Sequence, residues 1–482
     1  MSFIFFYFLF LLLSIFKSKN NIIIDDEMKK RLEKFVESQR ILAKMDTIGL
    51  IITNKNKTLF EKIFSDEAGK ATPQTPFVIG SISKSFTALS FLKLENSKEL
   101  MTKTLSEFNL KDYLDEELLK DITVGELLNH TSGLDSFSSS RVSQKGQYSY
   151  SNYGFALLGK IIEQKGSMPY KEYVKKNIFK PLEMQNTNTE FNENIIESYD
   201  NFFGGRCKYT SLESKYKEKD GFYIPAGYIS SSIEDMGKYI RYYLGDGEKY
   251  FSEMKKTTIE IRDNMYYGMG IVMTNKSDYE IYHHNGGTTS FLSDLYIIPK
   301  VELGFFLVTN TNDNLVLQPA YQLMDAVKNF ILYNVTEMYE GVDGSVFFYL
   351  HFIYDFLFII MLTIPLAYLI ITIVRKFKRK KYTWFDGVKG KIIFGVDVLV
   401  LAILPMIILI VCFGPDGMLK EICTSVRDIF VTIIVFCVLL FLNLIVKIGY
   451  VILYKKLNWS DIDIGNVKAT GGDSLYSGSE ED

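Results

Sequence analysis

Phe77-Val78-Ile79-Gly80-Ser81-Ile82-Ser83-Lys84-Ser85-Phe86-Thr87-Ala88 is the stretch on which the reading turns. It runs from apolar residues through a glycine into a segment with helical spacing, residues 83–94. At the start of that helix Ser81 and Lys84 stand three positions apart on one face, so the ammonium reaches the hydroxyl oxygen. A lysine in a partly desolvated site can act as a base, and a helix N-terminus favours negative charge developing on the serine. S-x-x-K alone is common by chance, and a serine near a helix start with a solvated lysine satisfies it equally well.

Two further segments add weight. Gln147-Tyr148-Ser149-Tyr150-Ser151-Asn152-Tyr153-Gly154 puts a phenol and an amide at i and i+2 just before an apolar helix. A tyrosinate at Tyr150 beside Lys84 can shuttle a proton and Asn152 can hydrogen-bond a substrate carbonyl; an aromatic turn with a helix N-cap is the plainer account. Ile281-Tyr282-His283-His284-Asn285-Gly286-Gly287-Thr288 reads as a strand ending in glycines. Such an end lets backbone approach a substrate and present an N–H to an oxyanion, although an ordinary glycine-rich hairpin has the same pattern. Around these segments, 47–53 and 58–64 are expected as paired strands, 152–164 and 169–178 as helices, and 279–283 and 304–309 as late strands. Strands at both ends of a helical middle predict an α+β domain whose sheet joins its termini.

The order and spacing of these segments resemble the serine β-lactamase and penicillin-binding-protein superfamily, in particular its class C-like branch, over residues 26–334. Connecting phrases match too: Ile122-Thr123-Val124-Gly125-Glu126-Leu127-Leu128-Asn129-His130-Thr131-Ser132-Gly133-Leu134, Phe179-Lys180-Pro181-Leu182-Glu183-Met184, and Pro225-Ala226-Gly227-Tyr228 leading to Ser232-Ile233-Glu234-Asp235-Met236. The resemblance implies an antiparallel sheet flanked by helices plus an all-helical domain. It makes Ser81 the acylated nucleophile, Lys84 its activating partner, and Tyr150 and Asn152 the Y-x-N motif. Ser81, Lys84 and Tyr150 are then catalytic, while Asn152, His284, Gly286 and Gly287 bind substrate. The oxyanion hole maps to the N–H groups of Ser81 and Gly287, and the reaction is acyl transfer to water or another acceptor.

Two positions depart from the pattern. His284 stands where many members have the lysine of K-T-G, which helps hold a substrate carboxylate, and a largely neutral imidazole holds it less firmly. Relatives with H-x-G include esterase-like and D-amino-acid peptidase-like members. Ser290 replaces a second glycine before Phe291 and is expected to narrow or tilt that wall of the cleft. His130 is expected to brace the fold, since the chain has no G-x-S-x-G elbow. A catalytically silent protein that binds or senses cell-wall peptide would share the fold, but Ser81, Lys84, Tyr150 and Asn152 together favour an enzyme.

Composition narrows the classes. With 54 basic and 57 acidic residues the formal charge is -3, so no global field recruits nucleic acid. Four histidines without H-x-x-x-H spacing predict neither metal nor other cofactor. Cys412 and Cys437 lie in apolar runs, which leaves only Cys207 and Cys423 and argues against a disulfide framework. The expected partners are a small-molecule or peptide substrate and membrane lipid; nothing specifies an oligomeric state.

The membrane expectation rests on three apolar runs, 356–374, 392–413 and 429–453, within a region of 347–455. Arg375-Lys376-Phe377-Lys378-Arg379-Lys380-Lys381 separates the first two, which makes that loop cytoplasmic and the domain at 26–334 extracytoplasmic. Residues 1–20 are expected as a signal peptide or anchor, although Lys17 and Lys19 follow the apolar core instead of preceding it. Residues 456–482 are expected as an acidic cytoplasmic tail. Asp397 and Lys447 are expected as interfacial groups reaching for water, with a buried pair as the alternative. An exported domain of this kind before three spans resembles membrane-bound peptidases that remove acylated D-amino-acid leaders from nonribosomal-peptide prodrugs.

Overall fold

The computed structural model describes residues 24–43, 45–67, 69–202, 205–275, 280–312, 319–333, 344–377, 387–413, 431–449 and 452. The leader at 1–20, the loop at 414–428 and the acidic tail at 456–482 fall outside them. Two compact units divide the chain near residue 349.

The first unit opens with helix α1 (Asp26–Leu42), capped by the Asp25 carboxylate accepting from Met28 N–H. Strands β1 (Thr47–Asn54), β2 (Thr58–Ser65) and β3 (Phe77–Val78) lead into a 3-10 turn at Gly80–Ile82. The helical middle holds α2 (Ser83–Leu92), α3 (Ser97–Thr102), α4 (Glu116–Asp121), α5 (Val124–Leu128), α6 (Asn152–Gly166) and α7 (Tyr170–Val174). Next come β4 (Tyr199–Phe202), β5 (Gly205–Lys208), α8 (Leu212–Lys217), α9 (Ile224–Gly227), β6 (Ser230–Ser231), α10 (Ile233–Tyr243) and α11 (Glu248–Lys255). The last six strands are β7 (Ile259–Arg262), β8 (Met265–Gly268), β9 (Ile271–Asn275), β10 (Glu280–Gly287), β11 (Leu292–Ile298) and β12 (Leu303–Thr309), followed by α12 (Pro319–Tyr333).

Eight strands form one antiparallel sheet in the order β2-β1-β12-β11-β10-β9-β8-β7. As the sequence implies, the sheet joins the two ends of the domain: Ile48 pairs with Thr309 and Asn54 with Leu303. Period-2 alternation serves two cores. Ile48, Leu50 and Ile52 pack with Met28, Leu32 and Val36 of α1 and with Val327 and Phe330 of α12. Ile51, Phe306 and Val308 face the other core, which contains Ile233 and Met236 of α10 and the helical middle. The α+β class with helices on an antiparallel sheet is therefore as expected.

The differences are local. The helix expected at 169–178 is α-helical only over Tyr170–Val174 and continues as a π-helical turn over Lys175–Phe179. The strand expected at 279–283 extends to Gly287, because the glycines keep pairing, Gly286 with Ser293 and Gly287 with Leu292.

The second unit contains helices α13 (Gly344–Phe377), α14 (Gly387–Phe413) and α15 (Val431–Gly449). Among the described residues only α15, at mean hydropathy 2.8, is long and apolar enough to cross a membrane. Where three spans were expected, Phe358–Val374 and Gly395–Ile408 are apolar but run only 10–17 residues. Lys447 corrects the interfacial expectation, since it is 2% exposed and donates to the Asp397 carboxylate and the Tyr368 hydroxyl. A charge at that depth is costly in an apolar surrounding, and the partner offsets the cost.

Candidate active site

Helix α2 is buried along its whole length, Ser83 to Phe91. Its small hydroxyl residues make this possible because each finds a hydrogen-bond partner. Ser85 Oγ donates to Ile82 O at 2.8 Å, Ser90 Oγ to Phe86 O at 2.8 Å, and Thr87 Oγ1 to Pro225 O at 2.7 Å. Ser83 Oγ accepts from Ile229 N–H at 3.0 Å, so α2 is clamped to the segment running from α9 into β6.

Ser81 sits in the turn just before α2 and is partly open to solvent, whereas Lys84 is fully buried one turn on. Lys84 Nζ lies 3.0 Å from Ser81 Oγ, 2.6 Å from Asn152 Oδ1 and 2.5 Å from the Ala226 carbonyl oxygen. Burial drives its pKa well below the ordinary lysine value of 10.5. The neutral amine fits these partners: two N–H groups donate to Asn152 and Ala226, and the lone pair faces the Ser81 hydroxyl. Tyr150 Oη donates to Ser81 Oγ at 2.7 Å. Asn152, held by its Nδ2 donating to Ser136 Oγ at 3.0 Å, opens α6 behind Ser151, whose hydroxyl caps Gly154 N–H.

The glycines explain how strand β10 reaches this centre. Gly80 has φ of +53°, and a Cβ there would stand 2.6 Å from Gly287 N and 2.7 Å from Gly286 C. A Cβ at Gly286 would likewise lie 2.6 Å from Ser293 Oγ and closer still to the Ile79 carbonyl oxygen. The turn carrying Ser81 and the end of β10 therefore touch backbone to backbone, which sets the Gly287 amide beside the Gly80–Ser81 peptide.

Two expected residues, His284 and Ser290, behave differently from a simple mapping. His284 is 4% exposed, with Nδ1 2.6 Å from the Asn285 carbonyl oxygen, so its ring is buried. Burial above all pushes its pKa down to about 3, which keeps the imidazole neutral. Ser290 does not narrow a wall, because its hydroxyl is buried in a 2.8 Å hydrogen bond with Ser198 Oγ. His130 accepts from Ser151 N–H at its Nδ1, 3.1 Å, and packs 4.3 Å ring to ring from Tyr150, bracing the Y-x-N segment.

Sequence reasoning left several participants unassigned. Ala226 O, Ser136 and Tyr267 all meet the centre, the first two as direct polar partners of Lys84 and Asn152. Only Ala226 carried a signal, since it lies in the P-A-G-Y phrase; a backbone carbonyl has no residue type to reveal it.

A family model described as Beta-lactamase matches residues 31–327. Protein flp of Staphylococcus aureus (strain N315) is 24% identical over 347 residues, covering 64% of this chain and 68% of that protein. The octameric penicillin-binding protein homologue from Pyrococcus abyssi matches with TM-score 0.52 at 23% identity, covering 63% of this chain and 77% of its own. D-amino acid amidase from Ochrobactrum anthropi SV3 matches with TM-score 0.51 at 20% identity, covering 62% and 99%. At such identities the two solved structures share the fold. With the family match spanning most of the first unit, the chain belongs to the β-lactamase family, among the β-lactamase and penicillin-binding-protein-like serine hydrolases.

Proposed function

We propose that the chain is a membrane-anchored serine hydrolase that forms an acyl-enzyme on Ser81 and acts on an amide or ester. The observation that carries this reading is the convergence of Lys84 Nζ and Tyr150 Oη on one partly open Ser81 Oγ, at 3.0 and 2.7 Å.

In this reading the neutral Lys84 amine takes the Ser81 proton as Oγ attacks the substrate carbonyl carbon. The resulting oxyanion is held by the N–H groups of Ser81 and Gly287, and Asn152 orients the acyl side. The leaving amine or alkoxide departs with a proton from Tyr150, which Lys84 replenishes. Water then attacks the acyl-enzyme, giving its proton back through the same pair, and Ser81 is regenerated.

His284 argues for the substrate class. A neutral, buried imidazole supplies no positive charge to a terminal carboxylate, so substrates whose scissile group lacks one are favoured, including D-amino-acid amides and esters. A D-amino acid amidase with the same fold is consistent with this class. Anchoring is supported by large apolar side chains left open on the second unit, Ile364 at 66%, Leu399 at 60% and Ile445 at 64% exposure, which suit lipid better than water. With residues 26–334 as the hydrolase domain and 347–455 as the membrane region, the basic residues that follow Val374 in the sequence support an extracytoplasmic cleft.

The test is labelling of the full chain in membranes with a fluorophosphonate probe, beside Ser81→Ala and Lys84→Ala. Labelling of the native chain and its loss in both variants is expected. Equal labelling of Ser81→Ala removes the nucleophile, and an unreactive native chain points to a silent peptide-binding role. A panel of esters, D-amino-acid amides and acyl-D-asparagine peptides then ranks substrates.

A further inference from the structure

Three polar atoms lie buried behind Tyr150 without a protein hydrogen-bond partner: His130 Nε2, Tyr267 Oη and His284 Nε2. Their rings belong to one box. His130 stands 4.3 Å from Tyr150 and 4.6 Å from Tyr267, Tyr267 stands 6.0 Å from His284, and Lys84 Nζ lies 4.8 Å from the centre of the Tyr150 ring. The first two residues have no exposure at all, and His284 has 4%.

Hydrogen bonding fixes which of them give and which accept. His130 Nδ1 accepts the Ser151 N–H, so its proton is on Nε2 and that atom is a donor. His284 Nδ1 faces the Asn285 carbonyl oxygen, which only accepts, so that nitrogen carries the proton and Nε2 is a bare acceptor. Burial holds both imidazoles neutral and raises the Tyr267 phenol well above its ordinary value. The box thus presents one donor, one acceptor and one hydroxyl that does both. Left apart, each atom would lose its hydration with nothing in exchange. A water molecule between them would satisfy the set, accepting from His130 Nε2–H while donating to His284 Nε2 and to Tyr267 Oη.

We infer that His130, Tyr267 and His284 hold one shared water and together form a positioning shell that fixes the Tyr150 ring against Ser81. His284 then acts through Tyr150 instead of touching substrate. The inference rests on the proposed reading of Ser81 as nucleophile and Tyr150 as its proton partner. Its physical basis is the 2.7 Å Tyr150–Ser81 contact, since a ring free to shift by about 1 Å forfeits roughly 100-fold in rate.

The experiment uses the full chain in nanodiscs, with fluorophosphonate inactivation resolved into its maximal rate and half-saturating concentration across pH. Tyr267→Phe removes a single oxygen; His284→Gln keeps an acceptor at the third-motif position, whereas His284→Leu removes it. Tyr267→Phe and His284→Leu are expected to lower the maximal rate roughly tenfold and to move its pH midpoint, with half-saturation unchanged and the melting transition kept. His284→Gln is expected to stay within about threefold of native. A high-resolution structure is expected to place a water within hydrogen-bonding reach of all three atoms. Native rate and pH midpoint in Tyr267→Phe and His284→Leu, or a structure in which these atoms bond only to protein, overturns the inference. Labelling that persists in Ser81→Ala defeats the underlying nucleophile assignment instead, and the water position still decides the shell.

Discussion

Gly80→Ala separates the backbone geometry of the site from its side-chain chemistry. The new Cβ would sit 2.6 Å from Gly287 N, 2.7 Å from Gly286 C and 2.9 Å from Gly286 Cα, where real Cβ atoms do not approach within 3.0 Å. All three obstacles are backbone, so no rotamer relieves them, and either β10 or the turn carrying Ser81 must retreat. Alanine at φ of +53° adds about 1–2 kcal/mol of left-handed strain, and overpacking adds about 1–3 kcal/mol. The retreat moves the Gly287 N–H away from the site of the developing oxyanion. Loss of one such donor lowers the rate by roughly 100- to 1,000-fold. Gly69→Ala is the control: it has φ of +83° but no neighbour within 4 Å, so it carries the same kind of backbone strain without the clash. Thermal unfolding and the rate of fluorophosphonate labelling of membranes read the two effects. Both variants lose stability, Gly80→Ala more, and only Gly80→Ala loses labelling, by about 100-fold or more. Labelling of Gly80→Ala within about threefold of native, despite the expected loss of stability, would refute the placement of Gly287 as an oxyanion donor.

Other consequences follow from charge and packing. The labelling rate rises with pH through the folded-state pKa of Lys84, well below 10.5; a rise that continues to 10.5 would mean a solvated lysine. The unfolded chain holds the Lys84 proton up to about 10.5 while the folded one releases it earlier, so stability rises with pH between those two values; Lys84→Met removes that slope in melting curves. Ser290→Gly deletes the Ser198 hydrogen bond, lowering stability by about 0.5–1.5 kcal/mol, and leaves labelling unchanged. Lys447→Ala leaves the Asp397 carboxylate without its cation, so it lowers the melting temperature in detergent more than the Lys447→Ala, Asp397→Ala pair does; equal losses would mean the two side chains do not depend on each other.

Ser81 and Lys84 were legible in the sequence because a helix converts a spacing of three into a shared face, a local rule that needs no tertiary knowledge. Tyr150 and Asn152 were legible through their spacing and the order of the motifs, and the joined termini through the β-branched runs at 47–53 and 304–309. What escaped depends on contacts between distant segments. The burial of His284 depends on its place along β10, where Gly286 and Gly287 prolong the ladder by pairing with Ser293 and Leu292. Ser290 looked like an intruder in the cleft because its partner, Ser198, lies 92 positions away. Helices α1 and α12 passed unread since their apolar faces matter only once both lie on the same side of the sheet. In the second unit, hydropathy read the runs but not the pairing of Lys447 with Asp397, which turns an interfacial charge into a buried one.

These buried contacts share a consequence for the chemistry. Lys84, His130 and His284 are each pushed by desolvation toward the uncharged form, so the interior behind Ser81 holds bases without standing positive charge. Such a surrounding favours transfer of the Ser81 proton, because the attacking serine gives it to an amine that starts neutral. It also gives up the electrostatic grip on an anionic substrate that a third-motif lysine would provide. Selectivity is then left to shape and apolar contact at the cleft mouth. Phe137, 50% exposed, stands beside Ser136, the partner of Asn152, and its carbonyl accepts from Tyr223 Oη at 2.7 Å. An exposed aromatic ring one residue from the group that holds Asn152 is a wall suited to an apolar acyl chain or aromatic side chain, and a substrate bearing one is where the substrate panel is expected to find the highest rate.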